Sequence, residues 1–290
     1  MSLSETPLRA KLPAPKTRRM QGITTGGALK GIGVRLKPDT LDEENVKFAQ
    51  KPLGQSLFLN SVPKCGSHLL RNIVRMFVPV NQHYTAQFVQ QQILDQHLSA
   101  FSDPRNLLSW GHLVFTDRTA VAVGRARQIL LVRDPYDWVT ARARFFLSDE
   151  FGGFDILKEG TLTVDALLNM MIFGVMEKAP PLASTFVYNA VAWLGAGAYL
   201  VRYEDLVAAV KDVDSASADE FFAALFEACG IERPDDWRER VRIGSDRKQS
   251  GTARENLTGV AVEFPSELPD LQKKMVDMVA PGMRELLGYK

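Results

Sequence analysis

Residues 57–79 read LFLNSVPKCGSHLLRNIVRMFVP, and the pattern of apolar residues changes twice along this stretch. An apolar run is followed by a short loop containing Pro, Lys, Gly and Ser, and apolar residues then return at helical spacing. This order predicts a strand over residues 56–62, a loop, and a helix over residues 67–77. A loop of small residues lets backbone N–H groups converge on an anion, and the N-terminus of the next helix adds partial positive charge. The stretch therefore predicts a phosphate-binding loop.

The side chains of this loop add to the prediction. Lys64 supplies a point charge, and Ser67 and His68 supply side-chain donors at the first helical turn. In the ATP-binding pattern G-x-x-x-x-G-K-[ST], Lys and Ser/Thr follow the last Gly, whereas Lys64 precedes Gly66. ATP hydrolysis is therefore not the first interpretation. One Gly-containing loop after a strand is a weak signal, so an ordinary strand–helix turn stays an alternative on this stretch alone.

Four segments further along the chain extend the pattern. They are GHL at 111–113, ILLVRDPYDWVTA at 129–141, AYLVRYEDL at 198–206 and DRKQSGTARENLT at 246–258. Together with PKCGSHLL at 63–70, and in this order, they resemble segments of the sulfotransferase family, whose members use 3'-phosphoadenosine 5'-phosphosulfate (PAPS). The resemblance covers about residues 55–289 and leaves the N-terminal segment outside it.

The resemblance implies which residues bind PAPS. The loop that holds the 5' phosphosulfate corresponds to Lys64, Cys65, Gly66, Ser67, His68 and Leu69. Arg133 matches the cation that holds the 3' phosphate, and a planar guanidinium suits a dianion because it donates two parallel hydrogen bonds. An ion pair with Asp134 or Asp137 at the helix start is the alternative for Arg133. The C-terminal lid over the cofactor corresponds to Arg247, Lys248 and Gln249.

Two side chains match catalytic positions of the family. His112 matches a general base at a strand end, a role that suits an imidazole because its unperturbed pKa lies near the operating pH. Lys64 is expected to neutralise charge on the departing phosphate oxygen. The implied reaction moves a sulfuryl group in line to an acceptor hydroxyl and requires no metal. The alternatives are a His112 bonded to backbone at the strand end and, for His68, packing at the helix start.

The chain departs from the family pattern at several positions. Ala141 stands where the family has a phosphate-binding Ser, and Thr140 replaces it only if the local frame shifts. Gln249 stands where a backbone-donating Gly is usual. Leu69 stands where many members place an adenine-stacking Trp, which leaves Tyr203 as the aromatic candidate for the base. A Tyr packed at the end of a buried strand is the alternative for Tyr203.

Hydrophobic periodicity predicts alternating strands and helices. The predicted strands are 56–62, 107–115, 128–132 and 199–202, and the predicted helices are 67–77, 85–101, 138–147, 163–176, 184–194, 216–229 and 268–287, the last as one helix or two broken at Pro281 and Gly282. Such alternation predicts an α/β fold, a P-loop-like three-layer α/β/α arrangement with a central parallel sheet. Ligands of open parallel sheets collect beyond the C-terminal ends of the strands, where Lys64, His112, Arg133 and Tyr203 are placed.

Composition sets broad limits. The chain has 290 residues, 46% of them hydrophobic, which is enough for a large core. Its 35 basic and 34 acidic residues nearly balance, so the net charge does not favour binding to nucleic acid or to a membrane surface. Two cysteines are too few for a disulfide framework or a four-ligand zinc site. Because no secretory signal or membrane-spanning run is found, we expect a cytoplasmic protein that binds no nucleic acid and does not span a membrane.

Residues 1–54 differ from the rest of the chain. Eight Lys or Arg lie from Arg9 to Lys37, and Pro and Gly interrupt the periodicity. We predict an irregular basic arm over residues 1–54 and a catalytic domain over residues 55–290. A solvated arm is expected, and an arm that covers the cofactor or contacts an acidic partner is the alternative.

The first interpretation is a PAPS-dependent sulfotransferase that acts on a hydroxyl of a small molecule, lipid or glycan. A kinase that uses ATP in the same loop is an alternative, against which the position of Lys64 stands. A nucleotide-binding protein without catalysis is another, favoured by the substitutions at 65, 141 and 249. An acceptor pocket, or more commonly the core, is expected for Phe145, Phe146, Met170, Met171, Phe173 and Phe186. No pattern specifies an oligomeric state.

Overall fold

The computed structural model describes residues 38–85, 88–148, 162–175, 179–250 and 264–290. The strands are β1 (Leu57–Ser61), β2 (Val89–Gln90), β3 (Leu108–His112), β4 (Arg127–Val132) and β5 (Tyr199–Arg202). They form one parallel sheet in the order β2–β3–β1–β4–β5. Helices cover both faces of this sheet, which confirms the predicted three-layer α/β/α fold.

The helices divide into two layers. They are α1 (Leu41–Asn45), α2 (Ser67–Arg75), α3 (Ser99–Ser102), α4 (Asp117–Val123), α5 (Pro135–Leu147), α6 (Val164–Phe173), α7 (Leu182–Phe186), α8 (Ala192–Leu194), α9 (Tyr203–Lys211), α10 (Ala216–Cys229), α11 (Trp237–Ser245), α12 (Asp270–Val279) and α13 (Met283–Leu286). A π-helical segment, Val187–Val191, joins α7 to α8, and 3-10 helices cover Val80–Gln82, Gln91–Gln96 and Arg247–Gln249. One layer contains α2, α9, α10 and α11, and the other contains α5, α6, α7 and α12.

The central strands form the core of the sheet. All five residues of β1 are buried, as expected for a strand covered on both faces, so its sequence reads as a continuous run rather than an alternating one. Leu59 pairs with Trp110 of β3 on one side and with Ile129 of β4 on the other. Val132 at the end of β4 pairs with Arg202 at the end of β5. This register brings the loops that follow β1, β3, β4 and β5 to one edge of the sheet.

The predicted helix over residues 85–101 is wrong. Val89 and Gln90 instead form an edge strand that pairs with Gly111 and His112 of β3. The pairing is close, because a Cβ on Gly111 would lie 2.1 Å from the carbonyl oxygen of Val89. Hydrogen bonding to a strand distant in sequence therefore determines this segment, against the helical spacing of its apolar residues.

Most other predicted elements are confirmed with shifted ends. The four predicted strands correspond to β1, β3, β4 and β5, and the last predicted helix is divided into α12 and α13. The predicted helix over residues 184–194 contains the π-helical segment, which periodicity does not reveal. The helices α1, α4, α9 and α11 were not predicted. Within the described ranges, no helix has the length and apolar character needed to cross a bilayer.

Part of the predicted arm is packed into the fold. Within residues 38–54, Leu41 of α1 has no exposed surface. Asp39 forms an ion pair with Arg75 of α2 at 2.8 Å. This segment therefore belongs to the folded body, which corrects the expected irregular structure there, whereas residues 1–37 lie outside the described residues.

Candidate active site

The turn between β1 and α2 requires unusual backbone angles. Lys64 has a φ of +69°, and Gly66, the N-cap of α2, has a φ of +88°. A positive φ is unfavourable for a side chain such as that of Lys64, and such conformations concentrate at functional sites. A Cβ on Gly66 would lie 2.4 Å from the ring of Tyr203, so only glycine fits at this position.

The first turn of α2 presents unused backbone donors. The N–H groups of Gly66, Ser67 and His68 make no hydrogen bond with any described residue. They are the orphan donors of a helix N-terminus, to which the helix dipole adds partial positive charge. Such a group of donors suits the oxygens of a phosphate or sulfate. Cys65 differs, because its N–H donates to the carbonyl of Val62 at 3.3 Å.

Two predicted loop contacts have other surroundings. The Cys65 side chain is fully buried, and burial raises the pKa of its thiol well above the ordinary range, so it is not a reactive thiolate. Leu69 is half-buried and packs against the core, where it offers no aromatic face to a base. Among the described residues, no group of three or more His, Cys, Asp or Glu side chains is placed to hold a metal ion.

The ammonium of Lys64 is held over an aromatic ring. Its Nζ lies 3.1 Å from the centroid of Phe145, a residue of α5. A cation above the face of a ring is attracted by the ring quadrupole. Phe145 therefore helps to position the charge of Lys64 beside the loop.

His112 ends β3 next to the end of β1. Its Nδ1 lies 3.0 Å from the carbonyl oxygen of Ser61 and 3.0 Å from Ser61 Oγ. Because a carbonyl oxygen only accepts, Nδ1 donates its proton to this bond, and Nε2 keeps its lone pair. The backbone bond that the alternative interpretation expected is present, and it orients the ring with Nε2 as a proton acceptor.

The two histidines of the site are neutral at pH 7. Burial lowers the pKa of His112 to about 4, and the charge of Lys64 contributes, against the opposing effect of the bond to Ser61. Burial also lowers the pKa of His68 to about 4, followed by the charges of Arg71, Lys64 and His112. Lys64, His68 and His112 therefore share one electrostatic environment, in which a bound anion would raise both pKa values.

Arg133 and Tyr203 lie together beyond β4 and β5. The guanidinium carbon of Arg133 is 4.8 Å from the centroid of the Tyr203 ring, which also contacts Gly66. The buried Nε of Arg133 has no acceptor among the described residues. Arg133 forms no ion pair with a carboxylate of the described residues. The neighbouring Asp134 pairs with Arg284 at 2.9 Å. Arg133 therefore retains donors for a ligand, whereas Tyr203 packs against the loop.

The position eight residues after Arg133 offers no hydroxyl. Ala141 is buried in α5. The hydroxyl of the neighbouring Thr140 is buried and donates to the carbonyl of Asp137 at 2.9 Å. The frame shift that would let Thr140 replace a phosphate-binding Ser is not present.

The start of the predicted lid is a 3-10 helix. Arg247 and Lys248 are exposed there. The N–H of Gln249 donates to the carbonyl of Asp246 at 2.9 Å, and the side-chain oxygen of Gln249 accepts from the N–H of Thr40 at 2.9 Å. The backbone and side chain of Gln249 are thus bonded within the protein, and the rest of the predicted lid, at 251–263, lies outside the described residues.

Half of the side chains predicted for an acceptor pocket belong to the core. Phe146, Met171 and Phe186 are buried. Met170 is half-buried, and Phe173 is exposed. Of that set, Phe145 contacts the loop.

Sequence reasoning missed an aromatic wall next to His112, formed by Phe88, Trp110 and His68. The ring centroids of Phe88 and Trp110 are 5.3 Å apart, and those of Phe88 and His112 are 5.6 Å apart. His68 packs against Trp110 at 5.0 Å. Trp110 precedes His112 by two residues, so both point to one face of β3, a signal that the sequence contains. Ser61, the partner of His112, has no such signal.

Comparison with known proteins gives a match at the level of the fold. The structure is similar to the crystal structure of mouse sulfotransferase SULT7A1 complexed with PAP, with a TM-score of 0.52 and 15% sequence identity. The similarity covers 86% of this chain and 94% of that chain. No family model and no curated protein matches the sequence. The chain therefore has the fold of this sulfotransferase.

Proposed function

We propose that this protein is a PAPS-dependent sulfotransferase that transfers a sulfuryl group to the hydroxyl of a small-molecule acceptor. The observation that carries the proposal is the grouping at one sheet edge of unused N–H donors, Lys64, and a His112 ring oriented as a proton acceptor. The sulfotransferase fold supports it.

The residues present suit the charges of PAPS. The N–H donors of residues 66–68 suit the oxygens of the 5' phosphosulfate. Arg133, whose buried Nε has no described acceptor, suits the 3' phosphate. We propose that Arg247 and Lys248 add positive charge over the nucleotide. Because Ala141 provides no hydroxyl, Arg133 is expected to carry a larger share of 3'-phosphate binding.

The chain's own residues account for the transfer step. His112 Nε2 removes the proton from the acceptor hydroxyl while that oxygen forms its bond to sulfur. The bond between sulfur and the 5' phosphate oxygen breaks, and Lys64 stabilises the charge that this oxygen gains. With a pKa near 4 in the protein alone, His112 is a weak base. The negative charge of the phosphosulfate raises that pKa towards the operating pH.

ATP suits the site less well. Lys64 precedes Gly66, so no Lys-Ser/Thr pair follows the loop glycine to bind the β/γ-phosphates and a magnesium ion. ATP also has no 3' phosphate to pair with Arg133. These two features favour the sulfotransferase over the kinase.

Calorimetric titration tests the donor site. We expect 3'-phosphoadenosine 5'-phosphate (PAP) to bind more tightly than AMP, which lacks only the 3' phosphate, and more tightly than ATP. In Arg133→Ala the preference for PAP over AMP should fall by about tenfold or more, the effect of losing a charged hydrogen bond. Arg105→Ala is the control, because Arg105 is exposed and pairs with Asp103.

Each outcome of this titration has a consequence. Tighter binding of ATP, or no binding of PAP, would contradict the proposal. PAP binding without transfer from PAPS to any hydroxyl would favour a nucleotide-binding protein without catalysis.

A further inference from the structure

A cleft of about 250 Å³ lies beside the aromatic wall. Its lining includes Asp42, Arg71, Arg75, His83, Phe88 and Trp110. Aromatic surface with a few charged groups is typical of small-molecule sites, and this volume lies just below their usual range. The cleft therefore suits a ligand with a single ring.

Phe88 is shared by this cleft and the surroundings of His112, although His112 itself does not line the cleft. Phe88 lines the cleft, and its ring also packs against His112 at 5.6 Å. Trp110, which lines the cleft as well, is two residues from His112 on the same face of β3. Their Cα atoms are therefore roughly 7 Å apart, from the rise per residue of a strand.

Several charges along the cleft are already paired. Arg75 bonds to Asp42 at 2.7 Å and to Asp39 at 2.8 Å. His83 Nδ1 lies 3.2 Å from the same Asp42 carboxylate. His83 Nε2 bonds to the carbonyl of Val78 at 2.9 Å, and burial lowers the pKa of this ring. These groups have partners within the protein.

Unlike Arg75 and His83, Arg71 has no hydrogen-bonding or ion-pair partner among the described residues. Its guanidinium carbon lies 4.8 Å from the centroid of the Trp110 ring, and the residue is half-buried. It makes no hydrogen bond or ion pair within 4 Å with any described residue, although the charges of Asp39 and Asp42 act on it from further away. A guanidinium has five N–H donors in a planar fork, which matches a carboxylate, sulfate or phosphate.

We infer that this cleft binds the acceptor, and that the acceptor is a small ring compound with a hydroxyl at one end and an anionic group at the other. Arg71 holds the anionic group, and Phe88 and Trp110 pack against the ring. Ring contacts run from Arg71 to Trp110, from Trp110 to Phe88 and from Phe88 to His112, so the guanidinium and the base lie at opposite ends of this aromatic surface. The inference rests on the proposed sulfotransferase function.

Calorimetry on the PAP-loaded protein tests the inference with three probes of different charge. They are 4-hydroxyphenylacetate, the neutral 4-hydroxyphenylethanol and the cationic tyramine. We expect the carboxylate to bind about tenfold or more tightly than the neutral probe, since an arginine–carboxylate pair adds charge-assisted hydrogen bonds. Tyramine should bind most weakly. Arg71→Met should remove the preference and leave binding of the neutral probe within about threefold.

The matched control is Arg238→Met. Arg238 also stacks on a tryptophan, Trp237, at 4.4 Å, but it lies on α11 and does not line the cleft. This variant should keep the full preference. Arg71→Lys, which keeps the charge and loses the fork, should give an intermediate preference and serves if Arg71→Met does not fold.

The outcomes separate the inference from the proposed function. Three results would each overturn the inference. The wild type could bind the carboxylate no more tightly than the neutral probe, Arg71→Met could keep the preference for the carboxylate, or the carboxylate could fail to bind at millimolar concentration. PAP binding is measured first on the same sample. Failure at that step counts against the sulfotransferase proposal and withdraws the basis of the inference with it.

Discussion

His112 depends for its proposed role on a neighbour that lies far from it in sequence. Ser61, the last residue of β1, offers both a carbonyl and a hydroxyl at 3.0 Å from Nδ1. The carbonyl belongs to the backbone and survives any side-chain mutation, whereas the hydroxyl does not. The two contributions to the orientation of His112 are therefore separable by experiment.

We predict that His112→Gln lowers kcat by about 10²- to 10⁴-fold, the range of general base catalysis. PAP affinity should stay within about threefold, because the imidazole is not among the proposed nucleotide contacts. Transfer of labelled sulfate from PAPS and calorimetry with PAP measure the two quantities.

The control is Ser61→Ala, which keeps the carbonyl bond and should lower kcat by less than about tenfold. Equal losses in both variants would contradict the argument that the carbonyl orients the ring. An unchanged kcat in His112→Gln would exclude it as the base.

At the scale of elements, the short helix α1 shows how much of the N-terminal segment belongs to the fold. Leu41 is fully buried and belongs to the main hydrophobic core. Val46, just after the helix, is 69% exposed. We predict that Leu41→Ala lowers the free energy of unfolding by about 2–5 kcal/mol, the cost of a cavity in a packed core.

Val46→Ala is the matched control and should change the free energy of unfolding by less than about 0.5 kcal/mol. Urea denaturation of both variants measures the difference. Similar small effects in both would mean that α1 contributes little to the stability of the body, as an irregular arm would.

The elements of the sheet show what sequence patterns can predict. All of β1 and residues 129–132 of β4 are buried, so the apolar runs 57–59 and 129–132 are continuous and easy to detect. The segment 85–101 has the same kind of apolar residues, but its structure is set by pairing with β3, which local spacing does not contain. Prediction therefore succeeded where burial acts along one element and failed where a distant partner decides.

The same distinction, between local patterns and distant partners, applies to the candidate site. The loop around Lys64 and the strand-end positions of His112 and Arg133 are readable from motifs, because each motif is contiguous. The bonds that His112 donates to Ser61 and that Thr40 donates to Gln249 join segments that only the fold brings together. No local sequence pattern indicates such partners. The cleft beside Arg71 was missed for the same reason, because its residues are separated in the sequence.

At the scale of the whole molecule, the fold collects cationic groups at one edge of its sheet. Lys64 precedes α2, Arg71 lies within α2, and Arg133 follows β4, while the neutral His68 lies between the first two. The pKa of Arg71 is lowered to about 10, first by burial and then by the charge of Arg75. A site of this kind is unfavourable for added positive charge, and a bound anion stabilises it.

This arrangement predicts acid sensitivity above the range where carboxylates titrate. In the folded protein His68 and His112 have a pKa of about 4, against an ordinary value of 6.5. Between these values the unfolded chain binds more protons, so stability is full above pH 6.5 and is lost as pH falls towards 4, by up to about 3 kcal/mol for each histidine. In the double variant His68→Gln/His112→Gln, the free energy of unfolding in urea should depend less on pH. Bound PAP should have the same effect on the wild type, because its negative charge raises the pKa values of His68 and His112. A steep profile that survives the double substitution would contradict this assignment, because the acid sensitivity would then originate outside the site.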